Sequence, residues 1–183
     1  MKPLKIFIAF AVLLVSAVCS GSTKEPQHNM EKGKTLIVFF SHAGENYAVG
    51  NIEVGNTKIV ADYIQEQTGA DVFEIVAEKN YDMPYSELIK VARGEKENHE
   101  LPPFKGAVEN IDRYDTVFIG GPIWWGTYPQ VMFTFFKRYD LNGKTLIPFT
   151  THEGSGLGST VKDVKKQYPE ATVTAPFPST ATR

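Results

Sequence analysis

The segment from residue 41 to residue 57 contains the residue types that bind a phosphate group. Ser41 and Thr57 supply hydroxyl donors, Asn56 supplies an amide, and Gly55 lets the backbone come close to a ligand. The segment leads from an apolar run into a predicted helix, whose first N–H groups and partial positive charge favour an anion. We therefore expect this loop to bind a phosphate.

The same loop differs from a nucleotide-triphosphate P-loop at one decisive position. Gly50 and Gly55 have the P-loop spacing, but Asn56 stands where that motif requires lysine. Because the lysine charge is missing, the sequence disfavours triphosphate hydrolysis. A single monoester phosphate does not need that lysine.

A second loop follows the apolar strand predicted at Thr116–Ile119 and contains two adjacent tryptophans. Glycine and proline disfavour strand interiors, so the Gly-Gly-Pro sequence is expected to end the strand. Open α/β sheets bind ligands at the carboxyl ends of their strands. At least one tryptophan is expected to pack in the core. The residues predicted to contact a flat aromatic ring are Pro122, Ile123, Trp124, Trp125 and Gly126.

A third loop follows the strand predicted at Thr145–Thr150 and is rich in glycine, which permits close approach of the backbone to a ligand. His152 and Glu153 leave open a general acid–base pair, although no residue is assigned a catalytic role. The four histidines show no metal-ligand spacing, so no metal site is predicted. The predicted ligand-binding residues of this loop are Thr151, His152, Glu153, Gly154, Ser155 and Gly156.

Strand-like and helix-like segments alternate along the chain, which favours parallel strands joined by right-handed crossovers in a doubly wound α/β sheet. The predicted strands are Thr35–Ser41, Asp71–Ala77, Thr116–Ile119, Thr145–Thr150 and Ala171–Ala175. The predicted helices are Thr57–Thr68, Tyr85–Arg93, Gln130–Arg138 and Leu157–Tyr168.

Residues Thr35–Ala175 resemble the flavodoxin-like family in the stretches VFFSHAGENYAVGN, GNTKIVADYI, DVFEIV, DTVFIGGPIWWGTYP and PFTTHEGSGLGST. The resemblance implies a three-layer, five-stranded parallel sheet in the order 2-1-3-4-5. It also implies non-covalent FMN, with the phosphate in the first loop and the flavin ring between the second and third loops. The extra segment Glu45–Val54 departs from the family's short phosphate loop.

The resemblance implies electron transfer, or reduction of a small acceptor such as a quinone. The partner is then a redox protein or a small-molecule acceptor. An FMN-dependent NAD(P)H oxidoreductase shares the same loops, so the choice between carrier and enzyme stays open. The alternative from another class is a cofactor-free or degenerate binding domain on the same fold.

The first 22 residues have the charged, apolar and small-residue order of an export signal. Cys19, the single cysteine, precludes an intramolecular disulfide and is a candidate lipidation site that would tether the protein to a membrane. Cleavage near Ser20 or Ser22 to give a soluble periplasmic protein is the alternative. Residues 23–34 are predicted to be a polar linker.

The predicted flavodoxin-like domain spans residues 35–183. Its end, residues 176–183, contains two prolines and no helical periodicity, so the domain is expected to be truncated and to lack the family's last helix. The chain has 19 Lys and Arg against 21 Asp and Glu, a net charge of −2, and the export signal contains two of the lysines. This mildly acidic balance argues against a nucleic-acid partner.

Overall fold

A computed structural model describes residues 34–180 of the chain, and its centre is a sheet in which every strand pairing is parallel. The strands are β1 (Lys34–Phe39), β4 (Asp71–Glu74), β7 (Tyr114–Pro122), β8 (Thr145–His152), β9 (Thr172–Val173) and β10 (Phe177–Thr180). Two small antiparallel pairs accompany it, β2 (Gly44–Asn46) with β3 (Gly50–Ile52) and β5 (Val76–Ala77) with β6 (Phe104–Lys105). The helices are α1 (Asn56–Thr68), α2 (Tyr85–Glu97), α3 (Gln130–Arg138) and α4 (Thr160–Gln167).

The strand order β4-β1-β7-β8-β10 confirms the predicted order 2-1-3-4-5. The fifth position holds two short strands, because β9 and β10 both pair with β8. The predicted fifth strand, Ala171–Ala175, therefore covers only β9, and the segment after it forms the additional strand β10. Phe177 stabilises β10 by stacking on Phe149, with ring centroids 5.8 Å apart.

The sheet has helices on both faces, which gives the predicted three layers. Ile37 and Phe39 of β1 are completely buried on the face that packs against Ala61 of α1. Leu36 and Val38 belong to the larger core on the other face, which includes residues of α2, α3 and α4. The continuous apolar run of β1 follows from this two-sided burial.

The expected end of the third strand at Gly-Gly-Pro was wrong, because β7 continues through Pro122, which pairs with Thr151 of β8. The Ile123 N–H donates to the Thr151 carbonyl oxygen at 3.1 Å. The backbone nitrogens of successive residues in a strand point to opposite neighbouring strands. Because the nitrogen of Ile123 points to β8, that of Pro122 points to the β1 side. The last pair between β1 and β7 joins Phe39 to Gly120, so the ladder with β1 ends just before the level at which Pro122 supplies no donor.

The other boundaries differ from the predictions in smaller ways. The predicted strand Asp71–Ala77 is divided between β4 and the separate strand β5. Helix α2 continues past Gly94, where a stop was expected, and the N–H of Asn98 bonds to the Gly94 carbonyl oxygen at its end. Helix α3 has the predicted bounds, and α1 ends as predicted, at left-handed Gly69.

Candidate functional site

The three predicted loops meet at one edge of the sheet, where β1, β7 and β8 end. The hydroxyl groups of Thr57 and Thr151 lie 2.7 Å apart and join the first loop to the third. The Ile123–Thr151 hydrogen bond joins the second to the third. The rings of His42 and Trp124, 5.8 Å apart between centroids, join the first to the second. The site therefore combines the three loops that the sequence analysis singled out.

A first cleft of about 230 Å³ lies between these loops. It contains predicted ligand-binding residues from all three loops, and none of the described residues that line it is Lys or Arg. A ligand in the first cleft would therefore be bound by neutral donor groups of the protein rather than by Lys or Arg side chains. The predicted residues that line it are Asn56, Pro122, Ile123, Trp124, Thr151, His152, Glu153 and Ser155.

A second cleft of about 300 Å³ adjoins the first. Trp124, Ile123 and Ser155 line both clefts, whereas Trp125 and Gly126 line the second. Gly154 and Gly156 instead shape the third loop. The Gly154 N–H donates to His152 Nδ1 at 2.9 Å, and the Gly156 carbonyl oxygen accepts the Thr150 hydroxyl at 2.9 Å.

The start of α1 presents hydrogen-bond donors beside the first cleft. The N-cap residue of this helix is Gly55, which has no side chain to cap it, and the first N–H groups of a helix have no partner within it. The Ser41 hydroxyl oxygen accepts the Lys58 N–H at 3.0 Å, so the serine hydrogen is left for another acceptor. In the buried Thr57–Thr151 pair, one hydroxyl donates and the other keeps its hydrogen for a ligand.

Gly55 precedes α1 at a point where the backbone of the first loop folds back on itself. A Cβ at this position would lie 2.6 Å from the His42 carbonyl oxygen and would also overlap the Ser41 hydroxyl oxygen. Glycine is therefore needed here for packing within the loop. The sequence alone had indicated only that Gly55 would let the backbone come close to a ligand.

The two adjacent tryptophans have different surroundings. Trp124 packs edge-on against Phe40 and Tyr81, with ring centroids 5.5 and 5.3 Å away. The side chain of Trp125 lies on α2, where its Nε1 donates to the Ile89 carbonyl oxygen at 2.8 Å. Trp125 is 45% exposed and has a left-handed backbone with φ of 52°. One indole thus extends the core, and the other fastens the loop to a helix.

Trp124 is supported from behind by a buried polar network. The Tyr81 hydroxyl donates to the Glu95 carboxylate at 3.1 Å, and Lys79 Nζ donates to the same carboxylate at 2.7 Å. The Glu95 side chain is only 1% exposed. Burial, followed by the Glu95 charge, raises the pKa of Tyr81, so this hydroxyl stays protonated and continues to donate.

His42 has a buried ring beside Trp124. Within residues 34–180, its Nε2 is a buried side-chain atom without a hydrogen-bond partner. Burial lowers the pKa of His42, with weaker opposing contributions from the Glu45 backbone and the Asp82 charge. The ring is therefore held in the neutral form that suits an uncharged aromatic neighbour.

The remaining wall of the first cleft is formed by residues that were not among the predicted ligand-binding residues. Asn46, Tyr47 and Val49 come from the β2–β3 hairpin, which the extra segment Glu45–Val54 forms, and Tyr85 and Leu88 come from α2. Gly44 and Gly50, both at positive φ, were the available signal for a hairpin.

The hairpin is attached to the start of α2 by two contacts. The Glu45 carboxylate accepts the N–H of Tyr85, the first residue of α2, at 2.9 Å, where the helix dipole favours a negative charge. The rings of Tyr47 and Tyr85 lie 5.9 Å apart between centroids. The extra segment and α2 therefore form one side of the cleft together.

The part of the chain that the structure describes contains neither a candidate metal cluster nor a helix that could span a membrane. Residues 34–180 contain no cluster of three or more His, Cys, Asp and Glu side chains arranged to hold a metal ion. The helices within that range are too short or too polar to cross a membrane.

One family profile and several solved structures match this chain. The sequence profile described as flavodoxin matches residues 34–176. Among curated proteins, none matches this chain.

Two solved Bacteroides structures, each provisionally described as a flavoprotein, are similar to the chain. The Bacteroides eggerthii protein is 29% identical, with 79% of this chain and 87% of that chain covered and a TM-score of 0.61. The Bacteroides uniformis protein is 26% identical, with 82% of this chain and 92% of that chain covered and a TM-score of 0.68.

A third solved structure, the complex of a Lactobacillus acidophilus flavoprotein with FMN, has the same fold. It is 20% identical, with 80% of this chain and 93% of that chain covered and a TM-score of 0.61. The profile match spans most of the chain and includes all three loops that form the first cleft. The chain therefore belongs to the flavodoxin family.

Proposed function

We propose that the first cleft binds FMN non-covalently and that the protein transfers electrons or reduces a small acceptor such as a quinone. The observation that carries this proposal is the meeting of three loops around one cleft, which Asn56 at the start of α1 lines together with Trp124 and Thr151; Ser41, Gly55 and Thr57 lie outside the lining, in the same first loop as Asn56. Membership of the flavodoxin family and the FMN held by the Lactobacillus relative support the choice of cofactor.

The donors at the start of α1 fit a phosphate monoester. Ser41, the Thr57–Thr151 hydroxyl pair and the first N–H groups of the helix are neutral donors. Neutral donors together with a helix dipole hold phosphate without a cationic side chain. Ser41, Gly55, Asn56 and Thr57 are therefore assigned to the phosphate end.

The opposite end of the cleft fits a flat ring. Ile123 and Trp124 supply apolar contact on one side, and His152, Glu153 and Ser155 supply the other. Bound FMN would supply one-electron and two-electron redox chemistry. The chain's own part is to orient the ring and to exclude water through Trp124 and the hairpin, with the neutral His42 ring packed against Trp124.

The visible spectrum of the purified full-length protein tests this proposal. We expect flavin absorption bands in the protein as isolated, or after addition of FMN and removal of the excess. We expect riboflavin, which lacks the phosphate, to bind more weakly than FMN because it leaves the α1 donors unused. Titration of flavin fluorescence measures both affinities.

The same titration separates the alternatives. A protein that takes up neither compound would be the cofactor-free binding domain, and the redox proposal would be wrong. Equal affinity for FMN and riboflavin would contradict the assignment of the phosphate end. In the loaded protein, rapid oxidation of NAD(P)H would identify a reductase, whereas inertness towards NAD(P)H with fast exchange to a redox protein would identify a carrier.

We also propose that the protein is exported, although residues 1–22, Cys19 and most of the linker 23–34 lie outside the described residues. The signal-like order of the first 22 residues supports export, and Cys19 is the candidate membrane tether. If Cys19 is lipidated, mass spectrometry of the membrane fraction should show a wild-type chain that begins at Cys19 and carries added acyl mass. Cys19→Ser should abolish both the added mass and the cleavage at this position.

Full-length protein retained in the cytosol would overturn the export proposal. A soluble, shortened wild-type protein would favour the alternative cleavage near Ser20 or Ser22.

A further inference from the structure

The second cleft differs from the first in its chemistry. One wall is the α2 surface formed by Leu88, Ile89 and Ala92, and the other contains Trp124 and Trp125. None of the described residues that line this cleft carries a charge. The nearby cations of Arg93 and Lys96 are engaged with Glu97 and the Trp125 carbonyl oxygen, so a charged ligand would lose its hydration here with little ionic compensation from the lining.

The walls of the second cleft are held in place by contacts between the tryptophan loop and α2. Besides the Trp125–Ile89 hydrogen bond, the guanidinium of Arg93 lies 5.3 Å from the centre of the Trp125 ring. Lys96 Nζ donates to the Trp125 carbonyl oxygen. The aromatic wall is therefore fixed before any ligand arrives, which lowers the entropic cost of binding.

The two clefts are in direct contact. Trp124, Ile123, Tyr85, Leu88 and Ser155 line both. An occupant of the second cleft therefore lies next to the ring end of the first. This arrangement suits a reaction partner of the cofactor.

We propose that the second cleft binds the electron acceptor, and that this acceptor is an uncharged planar aromatic compound of the quinone class. This inference rests on the proposed FMN site. The aromatic wall stacks on a flat ring, and the uncharged lining favours a neutral acceptor over an anionic one. A volume of about 300 Å³ lies at the lower end of small-molecule sites, which suits a compound with one or two rings.

The proposed reaction balances in electrons and protons. A quinone that becomes a hydroquinone gains two electrons and two protons, and the reduced cofactor loses the same number. The reductant that restores the cofactor belongs to the NAD(P)H class.

Two substitutions on α2 test the second cleft without touching the phosphate end. Ala92 is buried and lines only the second cleft, so Ala92→Phe fills the space. Ile89→Lys places a charge in the same cleft at a half-buried position, and it serves as the second variant if Ala92→Phe does not fold. Lys90→Phe is the matched control, because Lys90 is exposed and lies outside the lining of both clefts.

The experiment measures binding of menadione, an uncharged quinone, and of 1,4-naphthoquinone-2-sulfonate to the FMN-loaded full chain. Tryptophan fluorescence is the signal, because the two tryptophans of the chain both line the second cleft. We expect wild type and Lys90→Phe to bind menadione at least about tenfold more tightly than the sulfonate. Ala92→Phe should weaken menadione binding by at least about tenfold. Ile89→Lys should reverse the preference, and both variants should keep wild-type affinity for FMN.

Several results would overturn the proposal. Equal menadione affinity in wild type and folded Ala92→Phe would show that the acceptor binds elsewhere, as would an unchanged preference in Ile89→Lys. Loss of FMN affinity in both variants would assign the second cleft to the cofactor itself. Failure of wild type to bind FMN would overturn the proposed function and this inference together, and it is recognised by the flavin spectrum alone.

Discussion

Gly55→Ala is expected to lower the affinity for FMN by about 30-fold, which corresponds to about 2 kcal/mol. The added methyl group would lie 2.6 Å from the His42 carbonyl oxygen, a backbone atom that cannot rotate away. The first loop and the start of α1 must then separate, and the Ser41–Lys58 hydrogen bond that aligns them is weakened. Flavin fluorescence titration measures the affinity, and denaturant unfolding measures the accompanying loss of stability.

Gly94→Ala is the matched control for this substitution. A Cβ at Gly94 meets no atom within 4 Å, and the residue lies inside α2, where alanine is the better helix former. We expect this variant to keep the FMN affinity of wild type and to be slightly more stable. Undiminished FMN affinity in Gly55→Ala would mean that the phosphate does not depend on the packing of the first loop.

Lys79→Met is expected to lower the free energy of unfolding by about 3 kcal/mol. The substitution leaves the Glu95 carboxylate, 1% exposed, with the Tyr81 hydroxyl but without its cation. The cost should lie at the low end for buried ion pairs, since the Lys79 side chain is itself 39% exposed. Urea unfolding followed by circular dichroism measures the change.

Two further variants identify the cause of this loss. The double variant Lys79→Met with Glu95→Gln removes the unpaired charge and should recover part of the lost stability. Glu97→Gln breaks the Arg93–Glu97 pair on the same helix, in which both side chains are 60% exposed, and leaves the Arg93–Trp125 contact in place, so it should change stability little. Equal losses in Lys79→Met and Glu97→Gln would contradict the special role of burial.

The parts of the fold that follow from local patterns were predictable from the sequence. The apolar period of Gln130–Arg138 gave the bounds of α3, and Gly69 gave the end of α1. The strand order came from the family resemblance, because hydrophobic periodicity carries no information on which strands are neighbours. The three loops of the site could be predicted because parallel strands bring their carboxyl ends to one edge.

The remaining parts depend on contacts between distant residues. Pro122 stays in β7 because it remains paired with β8 after the ladder with β1 has ended at Gly120, which no local rule detects. Tyr85 and Leu88 enter the site because α2 approaches the tryptophan loop, and the sequence around them reads as an ordinary helix. The same holds for Glu95, whose burial depends on Lys79 and Tyr81.

The attachment of the β2–β3 hairpin to α2 has a kinetic consequence. The hairpin forms one wall of the first cleft, yet the Glu45 carboxylate and the Tyr47 ring connect it to Tyr85 by only two contacts. We expect a wall attached in this way to open more often than one built into the sheet. Capture and release of a ligand would then share a gating step, and the lifetime of the complex would depend on how long the hairpin stays closed.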